Sequence, residues 1–397
     1  MALEIAIDEL GIGNDHAAYV TLPANKNTII DAMDRARIFG ETFLRIENCD
    51  EFPELNGYEF IEEPTLDELN FLAKRLEMIS ADKEDITQSI AYRALLQKPM
   101  GTINEAINRT YNLETIPVYP CRNVYQYGEI VLENEMLEEL RDVPDEIYEL
   151  LDPDKVGRVM SDREGGVFID GYYVVADSYE PVLVYDEALP EQLEDWVFRL
   201  EVSGIPKRPE DISKMKTEVL TLPADEKYMQ KIAGQLGEKH IGDCNIMKFE
   251  SALPHIDDSA VESSEDIYSL NEIAKKYSEL SRENAVKFKA VLQNENWNGV
   301  DEAENILINL GGYDFDPVIE DIGDYGEKYL AKQLPPDFDK ELLSGIGSVK
   351  FTRNLLAANG CKFIDYGVVS GYGGHLYSPI IAPEQEQKND FEMGGIT

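Results

Sequence analysis

The amino-acid sequence predicts an α+β fold made of small acidic domains in two tandem repeat units. Segments with helical spacing of apolar residues stand beside short β-branched and aromatic runs in the chain. Five motifs recur in the same order at an offset that stays between 195 and 201 residues. Composition supports packed cores: 43% of the 397 residues are hydrophobic, with 21 Tyr and 14 Phe. Disordered acidic chains are poor in such residues. The length fits about two to four domains.

The recurring motifs pair Val20–Ala24 with Leu220–Ala224, Leu69–Arg75 with Leu270–Lys276, and Asn104–Ala106 with Asp301–Ala303. Tyr127–Glu129 returns as Tyr325–Glu327, and Phe168–Asp170 as Phe363–Asp365. Within the first unit a strand is expected over Ala18–Leu22, followed by a helix from Thr28, with Thr28 as its cap. Another strand fits Thr42–Ile46. Leu66, Leu69, Leu72, Ala73 and Leu76 share helical spacing, which predicts a helix over Leu66–Ile79. Further helices are expected over Asp85–Leu96 and Thr102–Thr110. Tyr127–Leu132 leads to short acidic helices across Asp145–Leu151 and Asp154–Met160. Gly166–Ala176 (GVFIDGYYVVA), bracketed by turn residues, reads as a strand or hairpin. Glu201–Glu218 carries Pro, Gly and Ser without apolar periodicity and reads as a linker. The units are therefore placed at 1–200 and 219–380, with 201–218 between them and a polar tail over 381–397.

Charge sets this chain apart: 78 Asp and Glu face 36 Lys and Arg, a net charge of -42. Self-repulsion on this scale opposes compaction and exceeds what solubility needs. DNA presents one negative charge per roughly 1.7 Å of duplex axis. The net charge at that spacing would cover about 70 Å, or roughly 20 base pairs. A protein charged like a stretch of duplex is one reading, and an ordinary acidic soluble protein is the other. Residues 1–200 hold 43 acidic and 16 basic residues, against 35 and 20 in 201–397. The densest segment carries eleven carboxylates: Glu129, Glu133, Glu135, Glu138, Glu139, Asp142, Asp145, Glu146, Glu149, Asp152 and Asp154, with Arg141 as its only cation. Like charges at i,i+3 and i,i+4 disfavour a helix by roughly 0.2–0.5 kcal/mol per pair. Leu132, Leu137, Leu140, Val143, Ile147, Leu150 and Leu151 are therefore expected to bury one side and hold the carboxylates outward. A solvated helix face is the plainer account of the same pattern.

Signals for catalysis are thin. His16, His240, His255 and His375 form no HxH or HExxH pattern. His255–Asp258 could ligate a metal but reads more simply as a loop. Gly11–Gly13 and Gly345–Gly347 lack the strand–GxGxxG–helix frame, and no G-x-S-x-G elbow occurs. No catalytic residue, metal or cofactor is expected. Cys49, Cys121, Cys244 and Cys361 lack CxxC spacing and read as reduced, buried thiols of a cytoplasmic protein. The N-terminal MALEIAIDELGIGND has no basic n-region, and no run of 18 apolar residues spans a membrane. Without Lys/Arg clusters, direct nucleic-acid binding is not expected.

Leu151–Arg158 (LDPDKVGR), followed by Gly166–Tyr172, resembles the ArdA antirestriction family. So do the preceding YGEIVLENEMLEEL and the helix Leu66–Leu76 after its acidic EEP. The resemblance covers residues 20–180 well and the second unit weakly. It implies an elongated acidic DNA mimic, encoded on a mobile genetic element and not an enzyme. Such a protein occupies the basic DNA-binding groove of a type I restriction–modification enzyme in the bacterial cytoplasm, here through the eleven carboxylates. The usual family member is one such unit and dimerises. Here two units fit either a tandem monomer or a homodimer of tandems. The second unit replaces LLDPDKVGR with Leu342–Lys350 (LLSGIGSVK) and loses the DxD acids. The alternative is an anti-CRISPR or other inhibitor of a nucleic-acid-handling defence complex, or an acidic scaffold for a basic host protein.

Overall fold

Alternating apolar residues in Leu3–Glu9 build a strand, β1, that the reading above did not place. It is the middle strand of an antiparallel sheet. β2 (Ala18–Leu22) pairs with it from Leu3↔Leu22 to Ile7↔Ala18, and β3 (Thr42–Cys49) from Leu3↔Cys49 to Glu9↔Thr42. The computed structural model describes residues 3–9, 17–82, 84–140, 143–185, 193–206, 215–319, 321–335 and 349–378. The chain is mixed α+β and divides into two units, Met1–Trp196 and Val197–Thr397.

In the first unit α1 (Lys26–Arg35) begins earlier than expected. Asn25, not Thr28, is its N-cap, and Asn25 Oδ1 accepts the Thr28 N–H at 2.8 Å. α2 (Leu66–Ser80) opens on a capping box. Thr65 Oγ1 accepts the Glu68 N–H, and the Glu68 carboxylate accepts the Thr65 N–H at 2.8 Å. α3 (Thr87–Leu96) and α4 (Ile103–Asn108) complete the lobe over one core. A second lobe follows: β4 (Val118–Tyr119), α5 (Val124–Glu133), α6 (Asp145–Tyr148), α7 (Pro153–Glu164), β5 (Val167–Ile169) and β6 (Tyr172–Val174), in strand order β4-β6-β5. Asp170 and Gly171 both take positive φ in the expected hairpin. This lobe has its own small core around Tyr127, Val156 and Tyr173. Arg93 of α3 ties the lobes together, holding Glu54 at 2.8 Å and the hairpin's Asp170.

The second unit is built from β7 (Phe198–Ser203), β8 (Thr217–Leu222), α8 (Glu226–Leu236), β9 (Asn245–Ser251), α9 (Asp266–Ser278), α10 (Arg282–Asn294) and α11 (Gly299–Ile308). β10 (Phe315–Asp316), α12 (Ile322–Gln333), α13 (Val349–Ala358), β11 (Cys361–Ile364) and β12 (Gly367–Ser370) follow. Its sheets run β8-β7-β9 and β10-β12-β11. The linker expected over Glu201–Glu218 is corrected. Glu201–Ser203 lies inside β7 and Thr217–Glu218 inside β8, paired as Glu201↔Val219 and Val202↔Glu218. The Pro, Gly and Ser residues mark the connection between two paired strands, a composition that linkers share. The tail expected at 381–397 and the segments Gly11–Gly13 and Gly345–Gly347 lie outside the described residues.

The recurring motifs sit on matching chemistry. Asn70, buried in α2, accepts the Ala24 N–H on Oδ1 at 2.8 Å; Asn271, buried in α9, does the same for Ala224 at 2.8 Å. Glu105 takes the Gly101 N–H at 2.7 Å, as Glu302 takes that of Asn298 at 2.7 Å. Asp170 meets Arg93 of α3, and Asp365 accepts the Gln293 amide of α10 at 2.8 Å.

Candidate functional site

The acidic stretch is mounted on α5 and α7, and two glycines set their spacing. A Cβ on Gly128 would run into the Pro153 carbonyl oxygen, and one on Gly157 into that of Val124. Only glycine permits so close a backbone approach. Asn123 Oδ1 caps α5 through the Gln126 N–H at 3.0 Å, and Asp152 Oδ1 caps α7 through the Asp154 N–H at 3.0 Å. Pro153 fits the first turn, where no N–H is needed. The LDPDKVGR motif thus encodes a helix start, a close crossing and an Asp154–Arg158 pair at 2.9 Å. Behind it Tyr127 is fully buried against Tyr173, with ring centroids 4.0 Å apart, and its hydroxyl donates to Glu164. Burial, then the Glu164 carboxylate, pushes the Tyr127 phenol far up, so it stays protonated. The Tyr148 hydroxyl donates to the Leu132 carbonyl at 2.5 Å and ties α6 to α5.

Of the eleven expected residues, Glu133, Glu135, Glu138, Glu139, Glu149 and Asp152 are exposed, and Glu129 and Asp154 half-exposed. Asp142 and the side chains of Asp145 and Glu146 lie outside the described residues. Among the described residues, cations that the sequence analysis did not pair lie on three of them: Arg163 on Glu139 at 2.8 Å, Arg158 on Asp154, and Lys155 on Asp152 at 3.9 Å. The i,i+4 spacing of Asp154 and Arg158 was the available signal. All three cations are largely exposed, so these pairs are weak and can exchange partners. Glu139's own backbone N–H and Arg163 hold its carboxyl below the usual range. Glu129, as charge and acceptor, pushes the Tyr125 phenol up.

The expected burial of the intervening apolar residues needs correction. Leu137 is buried, and Leu132, Val143 and Leu151 are half-buried, but Ile147 is 54% and Leu150 81% exposed. The Leu140 side chain lies outside the described residues. α5 and α7 approach closely and, with Leu137 and Tyr173, already fill the lobe's core. The four-residue α6 is too short to bury a stripe of its own.

From Val124 to Glu164 there are thirteen carboxylates against four cations; from Ile322 to Ala358 there are five of each. In the neutral segment the corresponding helices also meet at a glycine, but there Gly326 of α12 faces the Thr352 side chain of α13 rather than backbone. No protein-family model, curated protein or solved structure matches this chain. Among the described residues no group of three or more His, Cys, Asp or Glu is placed to hold a metal ion, and no helix is long and apolar enough to cross a membrane. All four cysteines are buried and free, and burial pushes Cys49, Cys244 and Cys361 up to about 11. What α5–α7 offers a partner is a dense set of solvent-facing carboxylates on a packed scaffold, suited to a cationic surface.

Proposed function

We propose that this chain is a DNA-mimic antirestriction protein, a tandem duplication of ArdA-like units, that fills the DNA-binding groove of a type I restriction–modification enzyme. The excess of carboxylates on the exterior of α5–α7 carries this reading. A groove lined with Lys and Arg for phosphates accepts a preorganised carboxylate array, with release of counterions from both surfaces. Duplication is supported by the two matching pairs of strand orders and by the equivalent bonds of Asn70 and Asn271. The first unit is the groove binder, because the second carries a neutral segment in the corresponding place.

The test is a titration of a DNA-bound type I restriction enzyme with the full chain. DNA is displaced competitively at low salt. Displacement weakens steeply between about 50 and 200 mM salt, as it does for ligands that release many counterions. Inhibition insensitive to both salt and DNA concentration overturns the mechanism. Displacement from a CRISPR effector with no effect on the restriction enzyme would reassign the target.

A further inference from the structure

The outer edges of β3 and β9 are treated differently. In the first unit residues 56–65 connect a 3₁₀ turn at Pro53–Leu55 to α2 and close the β3 edge. The Gly57 N–H donates to the Ile46 carbonyl at 2.9 Å, the Cys49 N–H to Asn56 Oδ1 at 2.6 Å, and the Leu44 N–H to Glu63 Oε1 at 3.3 Å. In the second unit the connection from the 3₁₀ turn Asp258–Ala260 to α9 is only 261–265, half as long. Among the described residues nothing hydrogen-bonds to the outer edge of β9. A groove of about 690 Å³ remains there, between Asn245–Phe249 and a wall of Asp258 and Val261–Ser264. Side chains alternate between the faces of a strand, so five consecutive residues line one groove only along its edge.

We propose that this slot takes an extended peptide segment of a partner protein, which adds to β9 as a further strand. An open strand edge offers unpaired N–H and C=O groups to such a segment. The groove falls within the roughly 300–1,000 Å³ of ligand sites. Ile246, Met247, Phe249 and Val261 supply apolar contact. Asp258 and Glu262 make the far wall acidic, while Lys248, the lining's one cation, is paired with Glu250 of its own strand. The matching segment therefore alternates apolar residues with Lys or Arg. A second copy of the chain fits less well, because it would bring its own β7 behind the inserted strand, against the 261–265 wall. The proposal is independent of the acidic surface on α5–α7.

The β7–β9 register shifts between Glu201 and Val202, which pair with Lys248 and Ile246, so Met247 has no partner on β7. Proline here, where Met247 has no register partner on β7, puts a ring in place of an N–H and a flexible side chain at the groove. The full chain is panned against a displayed library of unstructured peptides. Selected peptides should be rich in β-branched residues and in Lys or Arg. They should bind Met247→Pro, and separately Asp258→Lys with Glu262→Lys, about tenfold more weakly or worse. Both variants should keep the melting temperature of the parent. The charge reversal involves exposed side chains only, so it remains informative should the proline variant unfold. No enrichment, or peptides that bind the charge-reversed protein unchanged, overturns the proposal. A concentration-dependent dimer abolished by Met247→Pro would assign the edge to a second copy and overturn it too.

Discussion

Gly157 lies at the point where the acidic stretch meets its scaffold, and its replacement has a definite cost. Gly157→Ala forces α7 away from the Val124 carbonyl, and overpacking of this kind costs about 1–3 kcal/mol. Gly234→Ala in α8, with nothing within 4 Å of the new methyl, should instead stabilise by about 0.4–1 kcal/mol. Urea denaturation of the two variants checks the contrast, and equal midpoints would refute it. Asn70→Ala orphans the Ala24 N–H beneath α2, a loss of about 1–3 kcal/mol in the same assay. Asp316 responds to pH. Burial pushes its carboxyl up, but hydrogen bonds from Lys328 and Tyr377 outweigh burial and leave it below the usual value. A depressed carboxyl stabilises fully above its unfolded value of about 3.9, and this is lost as pH falls through the folded value. Asp316→Asn should therefore flatten the acid limb of stability below about pH 4 and leave no pH-linked term of its own near neutrality. An unchanged acid limb would show that Asp316 is not the group responsible.

At the scale of elements, charge on α5–α7 should act collectively. One exposed charge is worth about 0–1 kcal/mol, so any single reversal among Glu133, Glu135, Glu138 and Glu149 should barely change inhibition. Reversing all four should abolish it while the melting temperature holds. A folded single variant with no activity would point to a catalytic group. The α7 cations give the opposite sign: Arg158→Gln with Arg163→Gln releases Asp154 and Glu139 and should strengthen inhibition, most at low salt. Local signals made many elements legible. The Thr65–Glu68 box starts α2 where apolar spacing placed it, and Asp170–Gly171 turns the β5–β6 hairpin as its composition required. β1 is not legible in the same way, because its seven residues carry no turn signal of their own.

For the whole chain, the unit boundary at Trp196 makes a sharp prediction about fragments. Residues 197–397 should fold alone, because they retain β7 as the middle strand of their sheet. Residues 204–397 should not, because β8 and β9 then have no strand between them. Circular dichroism and thermal melts of the two fragments decide this, and cooperative melting of the shorter one would refute it. Residues 1–196 should displace DNA from the restriction enzyme with the salt dependence of the full chain, and 197–397 should not. Should the second fragment inhibit as well as the whole chain, the assignment of the first unit as groove binder fails.

The sequence by itself determined the α+β class, the recurrence of motifs, the location of the densest acidic run and several helix starts and turns. These rest on composition or on residues within a few positions of one another, where caps, turn residues and periodicity act. Tertiary structure decided what depends on distant neighbours. It placed Arg163 on Glu139, left Ile147 and Leu150 in solvent, and drew Glu201–Ser203 into a strand rather than a linker. Among the described residues it also left the outer edge of β9 without a hydrogen-bonded neighbour, because a connection five residues shorter cannot reach along a strand as residues 56–65 do along β3. Burial, pairing and edge coverage are properties of the packed chain, and no local pattern encodes them.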